Sequence, residues 1–246
     1  MKSILLALAA LFIGAPAFAQ SPPDAVALLA ASDTARGGGS PGLTWEIAVR
    51  NSGSLVRDDE VTILQVKAHD RNSVAEIFEP LRSKGSKILQ VERNMWITKP
   101  GLRKPVAISP RQRLSGQASI GDITATDYAH DYTPKYLRSE TVDGEPCHVL
   151  ELTAARQNTT YDRIVYWISD KRHVGVHADF MSVSGKRIKR ADFTYGNRVT
   201  VDGKQVPFVS RMSIQDELTD GKSVLDFSKV RVGPIAQSEF DAGNIQ

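Results

Sequence analysis

Apolar and polar positions alternate with a period of two along most of this chain, which is the spacing of half-buried strands. Trp45, Ile47 and Val49 share one side of the segment 43–50. Further strand patterns follow at 61–67, 75–78 and 87–92. Met95, Trp96 and Ile97 then lead to a Lys99-Pro100-Gly101 turn, after which Leu102, Lys104, Val106 and Ile108 alternate again. This reads as a strand, a Pro-Gly turn and a second strand. Beyond residue 132 the sequence is a meander. Asp143-Gly144, Ser184-Gly185, Asp202-Gly203 and Asp220-Gly221 are hairpin-turn pairs, and 170–173 is a fifth turn. Between them lie strands at 136–141, 148–153, 161–168, 174–183, 186–195, 206–214 and 222–232. The strand at 161–168 is apolar on both faces, whereas 174–183 is half solvated. Ten to twelve strands with few helices predict a mainly β fold, one strongly curved antiparallel sheet. A flat open sheet of that width is rare and leaves an apolar face bare.

The alternation stops between Ser109 and Asp131. That stretch is polar and Gly-punctuated, and a non-strand insert of this length in a sheet protein is usually functional. It predicts a flap, with Asp122 capping a single helical turn and Ile123 and Tyr128 pressing on a neighbour. A short helix is expected at 25–31, after Pro22-Pro23-Asp24. Residues 37–42, Gly-Gly-Gly-Ser-Pro-Gly, read as a flexible link.

The first residues change the compartment. A basic lead, an apolar run at 4–13 and Ala17-Phe18-Ala19 form a cleavable export signal ending at residue 19. The expectation is one domain over 20–246, soluble in the periplasm. No cysteine follows the cleavage point to carry a lipid anchor. With 31 basic and 28 acidic residues the net charge is +3, too balanced to argue for nucleic acid. Cys147 is the single cysteine, so no internal disulfide is available, and its strand setting reads as a buried inert thiol.

Candidate chemistry is thin. There is no Gly-x-Ser-x-Gly elbow, no His-Glu-x-x-His and no paired-cysteine metal site. Gly221-Lys222-Ser223 imitates the end of a phosphate loop, but Asp216 stands where that loop has glycine. In a strand His173 and His177 are separated by about 13 Å, at roughly 3.3 Å per residue, and do not share a metal. The acidic run 58–60 matches no calcium loop. His69-Asp70 and His130-Asp131 read as solvated loop pairs. No enzyme, cofactor or metal is expected. A curved sheet instead has a concave apolar side, and the N-terminal helix and the flap are the pieces available to cover it. An incompletely filled cavity under a mobile cover is a lipid-sized pocket. Arg103, Lys104, Arg111 and Arg113 are rim cations that could meet an anionic headgroup.

The block Trp96-Ile97, Pro100, Leu102-Arg103, Val106, Ile108-Ser109 and Arg113 carries a resemblance, with Gly121-Asp122-Ile123-Thr124 and Asp127-Tyr128 after it. It resembles the outer-membrane lipoprotein-sorting, LolA-like family, over roughly residues 43–240. The resemblance implies an unclosed antiparallel barrel with a helical lid that carries acyl chains across the periplasm. Ile123 and Ala125 depart from the commoner aromatics. The family's lid-locking arginine has no matching motif here: Arg50 and Arg57 both fit by position alone, and that residue is not carried over. The candidate pocket residues are Trp45, Ile47, Val49, Trp96, Leu102 and Val106; the lid candidates are Asp122, Ile123 and Tyr128. The expected partners are lipid or lipoprotein acyl chains, with an inner- or outer-membrane protein as donor or acceptor. The alternative is a non-enzymatic periplasmic adaptor or sensor. There the apolar side is packed shut, and cationic strand edges bind an inner-membrane transporter or signalling protein.

Overall fold

The computed structural model describes residues 23–54, 61–201 and 203–245. The export signal expected at 1–19, Arg57 and the acidic run 58–60 lie outside the described residues.

Helix α1 (Ala25–Thr34) begins where Asp24 accepts the N–H groups of Val26 at 2.9 Å and Ala27 at 3.3 Å. This side-chain cap satisfies donors that the first turn leaves open. The first half of the sheet is β1 (Ser40–Ser52), β2 (Thr62–Asp70), β3 (Asn72–Glu79), β4 (Lys87–Val91), β5 (Asn94–Thr98) and β6 (Val106–Ile108). A small pair, β7 (Arg113–Ser115) and β8 (Ala118–Ser119), follows with α2 (Ile120–Ile123) and α3 (Tyr128–Asp131). The second half comprises β9 (Tyr132–Val142), β10 (Glu145–Ala154), β11 (Arg163–Ser169), β12 (Gly175–Met181) and β13 (Arg187–Thr194). It continues with β14 (Asn197–Val201), β15 (Lys204–Phe208), β16 (Arg211–Asp216) and β17 (Lys222–Val232).

Thirteen of these strands form one sheet in the order β6-β5-β4-β3-β2-β1-β17-β16-β13-β12-β11-β10-β9. Neighbours are antiparallel throughout, so the meander expected from the turn dipeptides holds. The first and last strands of the order pair on one side only: the sheet is curved and unclosed, as anticipated.

Three local expectations need correction. The strand predicted over Leu102–Ile108 begins only at Val106, because Leu102 is still in the turn, donating its N–H to Lys99 O at 3.0 Å. The strand predicted over 206–214 is two strands, and β15 pairs with β14 as a hairpin outside the main sheet. The Gly-rich link is a fitted turn. A Cβ on Gly38 would lie 2.1 Å from Thr126 O, and one on Gly37 3.0 Å from the Trp45 ring. Gly38 is there because two backbones approach closely, and Gly37 and Gly39 because the turn takes φ values of +92° and +60°.

One large core fills the concave side. It holds Trp45, Ile47 and Val49 from β1, Leu64 and Val66 from β2, and Tyr166, Phe180, Met212 and Leu225 from the second half. Alternate residues point to the convex side and make two smaller clusters. Val74 and Leu89 pack with Phe240 and Ile245 of the C-terminal segment, while Cys147, Val149 and Trp167 form the other. The two-faced apolar pattern of 161–168 thus serves two cores, Tyr166 inward and Trp167 outward.

Candidate functional site

The site is the concave core and what covers it. The flap expected at 109–131 is built from β7–β8, α2 and α3, and it places Ala118, Ile120, Ile123, Ala125 and Tyr128 in the core. Ile123 is 1% exposed and Tyr128 5%. The Tyr128 ring meets Tyr132 and Tyr166 edge-on, at 5.3 and 5.6 Å between centroids. Asp122 caps its turn as expected from sequence, but from the third helical position, in a capping box whose N-cap residue is Ser119. The Asp122 carboxylate accepts the Ser119 N–H at 2.9 Å and the Tyr161 hydroxyl at 2.9 Å. Burial pushes the Tyr161 hydroxyl well up, and the charge of Asp122 adds to that.

Polar ties stitch the flap's margin to the sheet. Lys189, buried, donates its Nζ to Gln117 O at 2.6 Å, and Gln117 N–H donates to Ser223 Oγ at 2.7 Å. Asn51 Nδ2 donates to Ser115 Oγ at 2.9 Å. Arg111 grips Asp162 with two hydrogen bonds, at 2.7 and 3.1 Å, and donates to Thr159 O. Arg113 pairs with Asp216 at 3.4 Å. Of the rim cations, Arg111 and Arg113 are therefore spent on the flap, while Arg103 and Lys104 stand exposed on the β5–β6 turn.

At the other end of the flap, α1 takes over. Asp33 Oδ2 accepts the Ala129 N–H of α3 at 2.8 Å. Burial raises the Asp33 carboxyl to about 8, and the charge of Asp127 raises it further, against the pull of the Ala129 and Tyr128 N–H groups. Arg36 is buried with its guanidinium 4.7 Å from the Phe193 ring and 5.3 Å from that of Tyr128. Of the arginines weighed from sequence, Arg50 points outward to Asp226 at 2.8 Å, more than half exposed. Arg36 is the arginine that contacts the flap from within. Sequence reasoning misses it because it sits beside a Gly-rich stretch that reads as a linker.

The six candidate pocket residues divide. Trp45, Ile47 and Val49 lie together in the concave core, all at most 1% exposed. Trp96 pairs across strands with Leu89 and joins the convex cluster around Phe240. Its neighbours Met95 and Ile97 face the concave core instead. A one-residue register choice exchanges the two faces of a strand, and here it exchanged them. Leu102 is 36% exposed in a turn and Val106 50% exposed on the edge strand β6.

Among the described residues, the concave side beneath the flap is packed where a standing hollow was expected. Beneath the flap, among Gln90, Met95, Gly121, Thr124 and Tyr128, there is a cavity of about 20 Å³, room for about one water. The reason is a third cover, part of which reads from sequence as one continuous strand. The β14–β15 hairpin adds Val199 and Phe208 to the core, with Phe208 5.4 Å from Trp45. Val209 N–H donates to Ala35 O at 2.9 Å, tying this hairpin's end to α1. Larger hollows lie on the convex side. One of about 280 Å³ is lined by Lys67, Glu76, Lys87 and Glu239, and an open one of about 460 Å³ by Val91, Trp96 and Phe240.

Asp127, His130 and Asp131 hold ligand atoms within 4.8 Å of one another, a spacing a metal ion could use. Guanidinium groups already answer His130 and Asp131, and Asp127 accepts the His130 N–H at 3.3 Å. Arg93 pairs with Asp131, Arg71 meets His130 Nε2 at 2.9 Å, and Arg156 donates to His130 O at 3.0 Å. Burial, with Arg156, Arg71 and Arg93 nearby, keeps the His130 imidazole below its usual value. The cluster acts as a polar latch on α3. Among the described residues no helix is long and apolar enough to cross a membrane.

Comparisons with known proteins agree with this geometry. A family model described only as an uncharacterized protein matches residues 69–246. A LolA superfamily protein of Nitrosomonas europaea is 30% identical, with a TM-score of 0.78, covering 89% of this chain and 98% of that one. Two further structures share the fold, at TM-scores of 0.73. A DUF1329 family protein of Desulfovibrio piger is 20% identical, covering 90% of this chain and 98% of its own. A domain described as an outer membrane lipoprotein-sorting protein, from Vibrio parahaemolyticus, is 16% identical, covering 90% and 97%. No curated protein matches.

Proposed function

The chain belongs to the LolA superfamily, and from that premise we propose that it is a non-enzymatic periplasmic protein that takes an acyl chain into its concave face when the flap lifts. The observation that carries this reading is the nature of the cover. The apolar floor of the sheet is closed by the flap, whose own Ile120, Ile123, Ala125 and Tyr128 stand in the core as a plug. Around that plug the attachments are hydrogen bonds and ion pairs at the margin, through Gln117, Arg111, Arg113 and Asp131. The half-exposed ion pairs of Arg111 and Arg113 trade readily for water, whereas the buried Lys189–Gln117 bond must be rehydrated as the flap lifts.

Magnitudes decide whether a lipid can compete. Burying four such side chains is worth about 6–8 kcal/mol of transfer free energy. A sixteen-carbon acyl chain buries about 12 kcal/mol at about 0.8 kcal/mol per methylene. An acyl chain can therefore replace the plug on the floor formed by Trp45, Ile47, Val49, Met95 and Ile97. Transfer needs only opening of the cover and an acceptor of lower free energy.

The packed interior favours a second reading, an adaptor or sensor that keeps its core shut and binds a membrane protein through its surface. Organic-solvent extraction of detergent-free protein, followed by mass spectrometry, separates the two. About one acyl lipid per chain supports the carrier. A clean extract, both as purified and after incubation with lipid, overturns it in favour of the adaptor.

A further inference from the structure

Two hairpin tips at the β6 edge of the sheet carry side chains that folding does not need. The end of β3 and the β3–β4 connection expose Phe78 and Leu81, at 36% and 85%; the β5–β6 turn and the start of β6 expose Leu102 and Val106, at 36% and 50%. The tips touch, since a Cβ on Gly85 would sit 3.3 Å from Pro100 Cγ. Around the four apolar groups stand Arg82, Lys84, Lys99, Arg103 and Lys104, all exposed, against one carboxylate among the described residues of the two tips, Glu79. Among the described residues, Lys84, Lys99, Arg103 and Lys104 have no ion-pair partner.

An exposed leucine is unremarkable singly. Four apolar side chains on two adjoining protrusions, ringed by five cations, make a pattern that edge protection does not require, because charge alone protects an edge. We propose that these tips dock the protein on an anionic phospholipid surface, with Leu81 and Leu102 entering the headgroup layer and Lys84, Lys99, Arg103 and Lys104 meeting phosphates. The tips are convex and offer no tryptophan or tyrosine, so they lack the pocketed aromatic anchors of a protein interface. A compliant bilayer surface accepts protruding aliphatic groups beside cations. Their turns are also internally hydrogen bonded: Ser83 N–H to Pro80 O at 2.9 Å, Lys84 N–H to Leu81 O at 3.3 Å, and Leu102 N–H to Lys99 O at 3.0 Å. Fewer backbone groups then lose water on entering the interface. The β5–β6 tip runs through β6 directly into the flap, so docking here sets the root of the flap beside the membrane. This goes beyond the acyl-chain reading and does not depend on it.

Flotation of the full chain with vesicles tests it. The protein is expected to float with vesicles of phosphatidylethanolamine containing a quarter phosphatidylglycerol, and to stay behind with phosphatidylcholine alone. Binding should be lost at about 0.5 M salt, where the screening length shrinks to roughly 4 Å. Lys84→Gln with Lys104→Gln should lower the partition about twenty-five-fold, at about fivefold per cation. Leu81→Ser with Leu102→Ser should lower it about tenfold or more. No flotation on anionic vesicles, equal flotation on neutral ones, or indifference to the leucine pair would each overturn the proposal. Lipid charge and salt are varied on the unaltered protein, so the test decides even if a variant folds badly. Solvent extraction reads the interior and flotation reads the tips, so either can fail alone.

Discussion

Asp33 Oδ2 accepts the Ala129 N–H at 2.8 Å, joining the last turn of α1 to the flap helix α3 through a buried carboxyl. Burial raises that carboxyl from an ordinary 3.8 to about 8. Between those limits the folded protein holds a proton that the unfolded chain has released. Stability therefore falls as pH climbs from about 4 to about 8. Above that range the carboxylate gains most by reaching water, which requires the α1–α3 contact to part. Thermal melts across this range should show a falling midpoint, and hydrogen exchange in 124–131 should quicken toward its upper end. Asp33→Asn keeps the acceptor for Ala129 and removes the titration. His177, raised to about 9 by Asp179 and Asp192 against its own burial, loses its contribution in the same direction, so the difference curve isolates Asp33. Parallel curves for parent and variant would remove Asp33 from this role.

Gly38 sets how closely the flap seats. A Cβ there would stand 2.1 Å from Thr126 O and 2.9 Å from Asp33 Cβ, and a backbone oxygen has no rotamer with which to yield. Gly38→Ala should push the 124–126 strip off the α1 turn while leaving the sheet's own pairing intact. The expected result is faster proteolysis and exchange within 118–131, a modestly lower melting temperature, and more lipid copurifying if the interior takes acyl chains. Unchanged exchange in 118–131 would mean that the turn, rather than the flap, gives way.

Asp122 is held by Tyr161 as well as by its own helix turn. Its carboxylate is 3% exposed and takes the Tyr161 hydroxyl at 2.9 and 3.1 Å. Removing the donor strands a buried charge, at a cost of about 1–3 kcal/mol. The Tyr161 ring is stacked on Phe180 at 3.9 Å, so Tyr161→Phe keeps the packing and deletes only the hydroxyl. The variant should melt lower by several degrees and open its flap more often, seen as exchange at 119–123. Arg111→Ala, at a pair nearly half exposed on the arginine side, should cost under about 1 kcal/mol and serves as the contrast.

Much of this was legible in the chain, and the failures have physical causes. Period-two alternation and Asp-Gly or Ser-Gly turns pointed to the antiparallel meander, because in antiparallel sheets turn chemistry and side-chain parity act locally. The flap was visible as an interruption of that parity, and Ile123 and Tyr128 were recognisable as its apolar contacts. Parity cannot say which face is inner when both faces are buried. Met95, Trp96 and Ile97 form such a run, in which the bulk of Trp96 suggests the inner face that Met95 and Ile97 in fact occupy. Asp33, Arg36 and Lys189 carried no motif. Their significance comes from burial, which depends on distant strands. The β14–β15 hairpin was hidden because Val206 through Ile214 reads as one strand, although Ser210, bonded to Thr194 and Gly196, marks where it leaves the sheet.

Trp45 and Trp96 test which face is the interior. Trp45 is 1% exposed, lies over Phe208 and pairs with Val66 in the concave core. Trp45→Ala should cost about 3–5 kcal/mol, the range for deleting a buried aromatic, and it removes floor that an acyl chain would cover. Trp96 is half-buried against Phe240 and Ala242 on the convex side. Trp96→Ala should therefore loosen the C-terminal segment from 235 onward, exposing it to carboxypeptidase, and leave both the flap and lipid retention as they were. A charged residue at 96 should act the same way, more strongly, because it would face Leu89 and Phe240 rather than the interior. Loss of lipid with an intact C-terminal segment in the Trp96 variant would reverse the assignment of faces and put the binding surface on the convex side, where the larger hollows lie.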